Sequence, residues 1–261
     1  EGKKENFSIC LNDFVLIRHS DAEPAFFAGT GQGESNLYRG NFKVLDRKVE
    51  RFPLQLVGLD ERAEQTILTL KRPNASSAEV TISFGKFSDE IHVRLLGGLD
   101  RFWLRLQNET GEHLWGGGEQ FSHFNLAGRR FPMWVQEPGV GRDMTTRMTM
   151  IAEKDGQAGA HEAATYYPQP TFISSRHYAL HIDSSAYSVL DFTSPMFHEI
   201  EVWDNDFKFE LYTGDSLASL VKQLAKRFGH SGHIPEWVYN GAILGLKRGA
   251  ERNFEILDQA L

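Results

Sequence analysis

The stretch Thr66-Ile67-Leu68-Thr69-Leu70 alternates in part between polar and apolar side chains, and Thr81-Ile82-Ser83-Phe84 alternates throughout. Successive side chains of a strand point to opposite faces, so this pattern predicts strands with one face in a core and one toward water. Short β-rich segments, separated by Gly, Pro, Asn and Asp, continue from Asn6 to about Trp203. Their close spacing predicts a β-sandwich of two packed antiparallel sheets.

All the predicted strands have this short, β-rich character. Including the two above, they lie at residues 14–17, 64–70, 79–84, 91–96, 102–106, 178–182, 187–192 and 198–203. The sequence contains no internal repeat of about 20 to 50 residues, so it does not indicate a solenoid or a propeller fold.

The composition of the 261-residue chain, 41% hydrophobic and 24% charged, is typical of a globular protein. A formal net charge of −7 argues against a nucleic-acid partner, which requires clustered Lys and Arg. The single cysteine, Cys10, cannot form an internal disulfide, and this usage favours a cytoplasmic location. Apolar runs fall short of the ~20 residues of a membrane helix, so we expect no membrane partner.

The hydrophobic period changes at Asp215, and a helix is predicted over residues 215–228. Its apolar positions recur at three and four, Asp215 or Ser216 can cap its start, and Gly229 can end it. The segment from His230 to Pro235 is predicted to be a linker, because its Gly and Pro interrupt the helical spacing of apolar residues. The sandwich domain is therefore predicted to cover residues 1–233.

A second architecture is predicted for residues 234–261. The run from Trp237 to Leu246 is apolar at nearly every position, as in a strand buried on both faces of a parallel sheet, and a helical spacing follows from Glu251. One strand and one helix cannot form a parallel sheet by themselves. We therefore expect the chain to be the N-terminal part of a longer protein, cut just inside its second domain.

Four stretches have an unusual composition, and the first three of them are too polar for a core. They are Trp115-Gly116-Gly117-Gly118-Glu119-Gln120-Phe121, Gly128-Arg129-Arg130-Phe131-Pro132-Met133-Trp134, Glu137-Pro138-Gly139-Val140-Gly141-Arg142-Asp143 and Tyr167-Pro168-Gln169-Pro170-Thr171-Phe172-Ile173-Ser174-Ser175-Arg176. Together with the segment from Trp237 to Lys247, they resemble the N-terminal part of glycoside hydrolase family 31, in its sulfoquinovosidase branch. The resemblance implies a galactose-mutarotase-like β-sandwich, or supersandwich, followed by the truncated start of a (β/α)8 barrel.

The resemblance also implies the chemistry. Family members hydrolyse α-glycosides with retention, using two barrel aspartates whose carboxyl groups lie about 5 to 5.5 Å apart. Both aspartates lie on later barrel strands, so we assign no catalytic residue in this chain and expect the chain alone to be inactive. The implied partners are a sugar substrate, a sulfoquinovoside or α-glucoside, and the remaining barrel domain. No cofactor is implied.

Five residues are candidates for substrate binding, all within the family-like stretches: Gln120, Glu137, Arg142, Gln169 and Lys247. Glu137 and Arg142 flank a Pro-Gly turn, and the planar guanidinium of Arg suits hydroxyls or an anionic head group. An exposed or interdomain ion pair explains the same two residues equally well. Lys247 directly follows the predicted barrel strand, whose C-terminal end faces the active site in such barrels, although a lysine there is otherwise an ordinary solvated residue.

The triple glycine Gly116 to Gly118 lacks the GxGxxG and P-loop patterns, so it predicts a turn with close backbone approach rather than nucleotide binding. The ten histidines do not form a spacing that predicts a metal site. A second function class remains open, a stand-alone carbohydrate-binding or mutarotase-like sandwich. A mutarotase would need its own acid and base, plausibly a His and a Glu that meet in a sandwich cleft.

Overall fold

The computed structural model describes residues 6–11, 13–38, 41–72, 77–83, 88–139, 141–143, 145–154, 161–229, 232–240 and 249–260. Its elements follow one another in this chain order. They are β1 (Phe7–Leu11), β2 (Phe14–His19), β3 (Phe26–Tyr38), β4 (Asn41–Pro53), β5 (Gln55–Glu61), β6 (Gln65–Lys71), β7 (Ser77–Ser83), β8 (Asp89–Leu95), β9 (Arg101–Gln107), β10 (Leu114–Gly118), β11 (Arg130–Met133), α1 (Arg147–Lys154), β12 (Pro168–Ser174), β13 (Tyr178–Asp183), β14 (Ser188–Asp191), β15 (Phe197–Val202), β16 (Asp206–Thr213), α2 (Leu217–Phe228), α3 (Glu236–Asn240) and α4 (Ala250–Ala260).

The described strands form one eight-stranded sheet, one six-stranded sheet and the small pair β1-β2. The eight-stranded sheet has the order β10-β12-β13-β16-β8-β7-β6-β5, and the six-stranded sheet has the order β11-β14-β15-β9-β3-β4. Neighbouring strands in all three are antiparallel. The predicted mainly-β sandwich is therefore confirmed.

The hydrophobic core lies between the two large sheets. Phe102 of β9 packs edge-on against Phe207 of β16, with ring centroids 5.6 Å apart, so each sheet contributes aromatic rings to one layer. In β6, Leu68 and Leu70 are buried while their neighbours are only partly so, which is the alternation read from the sequence. Burial of each such side chain stabilises the fold by about 1.5–3 kcal/mol.

β3 and β4, the last two strands of the six-stranded sheet, form a long ribbon that packs against Arg101 and Trp203. Arg101 of β9 donates to Asp46 of β4 at 2.8 Å, and its guanidinium stacks 4.0 Å from the Trp203 ring. Gly33 lies against the same Trp203, where a Cβ would come within 2.7 Å of the ring. A buried ion pair thus stabilises the packing of the ribbon, and the absence of a side chain at Gly33 leaves room for the Trp203 ring.

The predicted helix near the end of the sandwich is present as α2. It begins at Leu217, and the Ser216 hydroxyl accepts from the Ser219 amide at 3.2 Å, which satisfies a free amide of its first turn. β16 precedes this helix, so the sandwich continues to Thr213 rather than ending near Trp203.

The prediction of a strand from Trp237 is wrong for its first four residues, because Glu236–Asn240 forms a short helix, α3. A strand of a parallel sheet depends on neighbouring strands. Pro235 and Glu236 favour a helix instead, since Pro suits a helix start and an acidic residue suits the first turn. The rest of the predicted strand, 241–246, lies outside the described residues, while the helix expected from Glu251 is present as α4.

The chain divides into two compact units, Glu1–Gln223 and Leu224–Leu261. The first unit contains the three sheets, and the second contains α3 and α4. Within the described ranges, each helix is too short or too polar to cross a membrane.

Candidate functional site

The glycines of β10 allow two strands to approach closely. Gly116, Gly117 and Gly118 have φ angles of 128°, 74° and 86°, a region that side chains rarely adopt. A Cβ on Gly118 would lie 2.0 Å from the Tyr167 carbonyl oxygen, and one on Gly116 would lie 2.3 Å from the Thr171 carbonyl oxygen. Gly116 and Gly118 therefore allow the close backbone approach that the sequence predicted, although the three glycines lie in strand β10 and not in the predicted turn.

Gln120 lies in the turn that leaves β10 and is held by backbone contacts. Its Nε2 donates to the Gly117 carbonyl at 2.9 Å, while its Oε1 is buried without a hydrogen-bond partner. The preceding residue, Glu119, donates its amide to the Tyr167 carbonyl at 2.9 Å. Gln169, the second residue of β12, lies beside Gly118 and is half-buried. The fold thus places both Gln120 and Gln169 next to Gly118.

Glu137 lies on a segment that runs beside residues 165–167. The Gln136 amide donates to the Thr165 carbonyl at 2.9 Å, which sets the register between the two segments. The Tyr166 hydroxyl donates to the exposed Glu137 carboxylate, and this hydrogen bond raises the pKa of Tyr166. Glu137 is therefore oriented by a phenol and not by Arg142.

Arg142 closes the turn that the sequence predicted around Gly139 and Gly141. Its amide donates to the Gly139 carbonyl at 2.9 Å, and the Gly141 amide donates to the Ser122 hydroxyl at 3.4 Å. The guanidinium is half-buried, and within the described part of the chain it forms no ion pair. Asp143 follows, and hydrogen bonds from the Thr145 hydroxyl and amide lower its pKa.

The structure brings four of the five candidates into one loop cluster, which we define as residues 117–122, 135–142 except 140, and 165–169. Ser122, Thr165 and Tyr167 connect its three segments. The fifth candidate, Lys247, lies outside the described residues. The cluster offers a buried amide oxygen, a carboxylate and a guanidinium, which are groups that bind hydroxyls and anions.

A buried acid–base group lies between the two large sheets. The Glu112 carboxylate is 3.2 Å from His198 Nε2 of β15 and accepts from Tyr178 of β13 at 3.1 Å, and the Ser174 hydroxyl also donates to it. Burial alone would raise the pKa of Glu112, but contacts from His198, Ser174 and Arg176 outweigh it and lower the pKa. Burial and the nearby Glu112 raise the pKa of Tyr178 well above its ordinary value.

This group cannot act on a substrate, because the Glu112 side chain is 0% and the His198 side chain 2% exposed. A mutarotase-like mechanism needs its acid and base in an open cleft. The Glu112 and His198 pair is therefore structural, joining the two sheets. In the part of the chain that the structure describes, no three His, Cys, Asp or Glu side chains are grouped so as to hold a metal ion.

Fold and loop cluster together define the class, an antiparallel β-sandwich domain with polar loops gathered at one end of β10 and β12. No family model matches the chain. It is 44% identical over 250 residues to a sulfoquinovosidase from Agrobacterium fabrum and 32% identical over 250 residues to one from Escherichia coli K12, each match covering 95% of this chain.

The solved structures agree with these relatives. A family 31 sulfoquinovosidase from E. rectale, in complex with the aza-sugar inhibitor IFGSQ, matches 99% of this chain with a TM-score of 0.84 and 36% identity. Over nearly its whole length the chain thus corresponds to part of the sulfoquinovosidases of glycoside hydrolase family 31, the family that its sequence motifs resemble. It spans 37% of the length of the two curated relatives and 38% of the solved one.

Sequence reasoning missed the residues that hold the loop cluster in place. Thr165 donates its hydroxyl to the Glu119 carbonyl at 2.6 Å and accepts from the Tyr167 amide at 3.1 Å, so one side chain ties two segments. A signal for this role was absent, because Thr165 and Glu119 are 46 positions apart. Tyr166 was equally unremarkable in sequence, although it orients Glu137.

Proposed function

We propose that the chain is the sandwich domain of a retaining α-glycosidase that hydrolyses α-sulfoquinovosides or related α-glucosides. The observation that carries this proposal is the 44% identity over 95% of the chain to the Agrobacterium sulfoquinovosidase. The TM-score of 0.84 to a relative that holds an aza-sugar inhibitor supports a sugar substrate. The two carboxylates of the reaction are then supplied by the remaining barrel domain of the same protein, and the domain boundary at residues 233 and 234 stays part of this proposal.

In this proposal the loop cluster lines the mouth of the active site. The buried, unpartnered Oε1 of Gln120 can accept a substrate hydroxyl, and Arg142 can donate to a hydroxyl or to an anionic group. Glu137, held by Tyr166, can accept a second hydroxyl, and Gln169 lies on the strand that carries the cluster. Lys247 completes the proposed set.

The test uses the protein encoded by the full reading frame that contains this chain. Release of p-nitrophenol from p-nitrophenyl α-sulfoquinovoside and from the α-glucoside is compared with a heat-killed control. We expect turnover by the full protein, with the sulfonated substrate preferred, and none by the 261-residue chain. Turnover by the chain alone would place catalysis in the sandwich and contradict the proposal.

The stereochemical course gives a second, independent check. Proton NMR of the first-formed product distinguishes retention from inversion before the sugar mutarotates. We expect the α-anomer to appear first. A β-anomer appearing first would rule out a retaining mechanism even if the substrate is correct.

A further inference from the structure

A cavity of about 320 Å³ lies in the first unit, between the ribbon and the edge of the six-stranded sheet. Phe42 at the tip of the ribbon and Tyr187 before β14 line it, together with Trp134 and Gln136 after β11 and Glu162. β4 and β11 are the two opposite edges of their sheet, so the curl of the ribbon brings both edges to one cavity. The volume is at the lower end of the roughly 300–1,000 Å³ found for small-molecule sites.

Three polar atoms of the lining residues are buried and have no hydrogen-bond partner. They are Trp134 Nε1, Gln136 Oε1 and Glu162 Oε2, and the Gln136 residue is 4% exposed. A buried polar atom without a partner costs about 1–3 kcal/mol, so folded proteins rarely leave one. All three atoms belong to residues that line one cavity, so a molecule bound there can supply the missing partners.

The chemistry of these atoms selects a ligand class. Trp134 Nε1 is a donor, and the Gln136 and Glu162 oxygens are acceptors. A ligand that satisfies all three must accept one hydrogen bond and donate two, which adjacent hydroxyl groups can do because each both donates and accepts.

The aromatic residues of the cavity wall favour a ligand that also has an apolar face. Trp134 packs edge-on against Phe42, with centroids 5.6 Å apart, and lies 5.8 Å from Tyr187. Aromatic rings of this kind bury the apolar face of a ligand while their polar tips form hydrogen bonds. A pyranose ring combines an apolar C–H face with a rim of hydroxyl groups, so it matches both the wall and the polar atoms.

We propose that this cavity binds a single hexopyranoside unit through Trp134, Gln136 and Glu162, with Phe42 and Tyr187 against the ring. The proposal depends on the cavity geometry and not on the proposed hydrolysis. Binding is therefore measured without turnover, and failure of either proposal leaves the other standing.

The experiment titrates the 261-residue chain with methyl α-D-glucopyranoside and follows binding by saturation-transfer NMR and calorimetry. A matched ligand, 2-methoxytetrahydropyran, has the ring without the three ring hydroxyls and the hydroxymethyl group. We expect the glucoside to bind and the hydroxyl-free ring to give no signal. Equal binding of both ligands would assign the contact to the aromatic wall alone and contradict the proposal.

Two variants locate the site. Gln136→Leu removes one unpartnered acceptor at nearly equal volume and should weaken binding about tenfold or more without lowering thermal stability. Val57→Ala, at a 55% exposed position of β5 in the eight-stranded sheet, should bind like the parent chain. Unchanged binding by Gln136→Leu, or no binding by the parent chain, would overturn the proposal and leave a cavity that holds water only.

Discussion

The Glu112 carboxylate, in the loop between β9 and β10, lies 3.2 Å from His198 Nε2, and this buried contact joins the two layers of the sandwich. Tyr178 and Ser174 reach the same carboxylate from the eight-stranded sheet, whereas His198 belongs to the six-stranded one. A buried carboxylate is tolerated only when such partners satisfy it. The polar group therefore fixes which part of one sheet faces which part of the other.

Removing this carboxylate should destabilise the sandwich strongly. Glu112→Ala leaves Tyr178, Ser174 and His198 buried without their partner, so we expect a loss of about 3–5 kcal/mol in the free energy of unfolding. Glu109→Ala is the control, because its 69% exposed side chain forms only a surface ion pair with Arg176, worth about 0–1 kcal/mol. Urea denaturation of both variants measures the difference, and similar losses would show that burial of Glu112 is unimportant.

His19 should make stability depend on pH. Burial lowers its pKa from 6.5 to about 4, outweighing the opposing effect of Asp21, and its Nδ1 accepts from the Ala25 amide at 3.2 Å. Between pH 6.5 and about 4 the unfolded chain binds the proton that the folded chain refuses, so stability falls as pH falls through this window. Above pH 6.5 His19 is unprotonated in both states, so its burial no longer lowers the free energy of unfolding.

The matched variant is His19→Asn, whose Oδ1 can replace Nδ1 as the acceptor but cannot be protonated in this range. Denaturation midpoints between pH 7 and 4 should fall less steeply for this variant than for the parent chain. The exposed His233→Asn should keep the parent slope. A parent slope unchanged by His19→Asn would assign the pH effect to other groups.

Gly118 should be irreplaceable for the loop cluster. In Gly118→Ala the new Cβ meets the Tyr167 carbonyl at 2.0 Å, whereas Gly111→Ala has the same kind of φ, 87° against 86°, and nothing within 4 Å. Both variants bear the cost of positive φ, about 1 kcal/mol, and the excess loss in Gly118→Ala reports the clash. Thermal unfolding that ranks the two variants equally would exclude close approach as the reason for this glycine.

Asp46 should hold the ribbon against the sheet. Asp46→Ala leaves the guanidinium of Arg101, which is 7% exposed, without its bidentate partner. We expect faster hydrogen exchange and proteolysis within β3 and β4. Glu34→Ala in the same ribbon breaks an exposed pair with Arg47 and should change neither readout. Equal protection in both variants would mean that packing on Trp203 suffices.

Arg142 should contribute to substrate binding in the full-length protein. If it donates a charged hydrogen bond to the substrate, Arg142→Ala loses about 1.5–3 kcal/mol of transition-state binding, a ten- to hundredfold drop in kcat/KM. Arg62→Ala removes an exposed arginine that pairs with Asp60 and serves as the control. An unchanged kcat/KM would make Arg142 a structural residue, and a failure to fold would place it at a domain interface.

Local pattern predicted much of this fold. The alternation in β6 and the three-and-four spacing of α2 reflect side chains that each need only one buried face, which is a property of short segments. β3 and β4 escaped prediction because their outer parts are polar and exposed, stabilised by distant partners such as Arg101 and Trp203. The Glu112 group escaped for the same reason, since its partners lie 62 to 86 positions away.

The position of β16 has a consequence for how the chain is made. β16 pairs with β8 on one side and with β13 on the other, so it alone connects the strands β5 to β8 with β10, β12 and β13. During synthesis the ribosome releases all of those strands before Thr213 emerges, and until then β8 and β13 present unpaired edges. Unpaired edges are sites where other chains can add a strand, so this sheet is protected from such pairing at β8 and β13 only after β16 is in place.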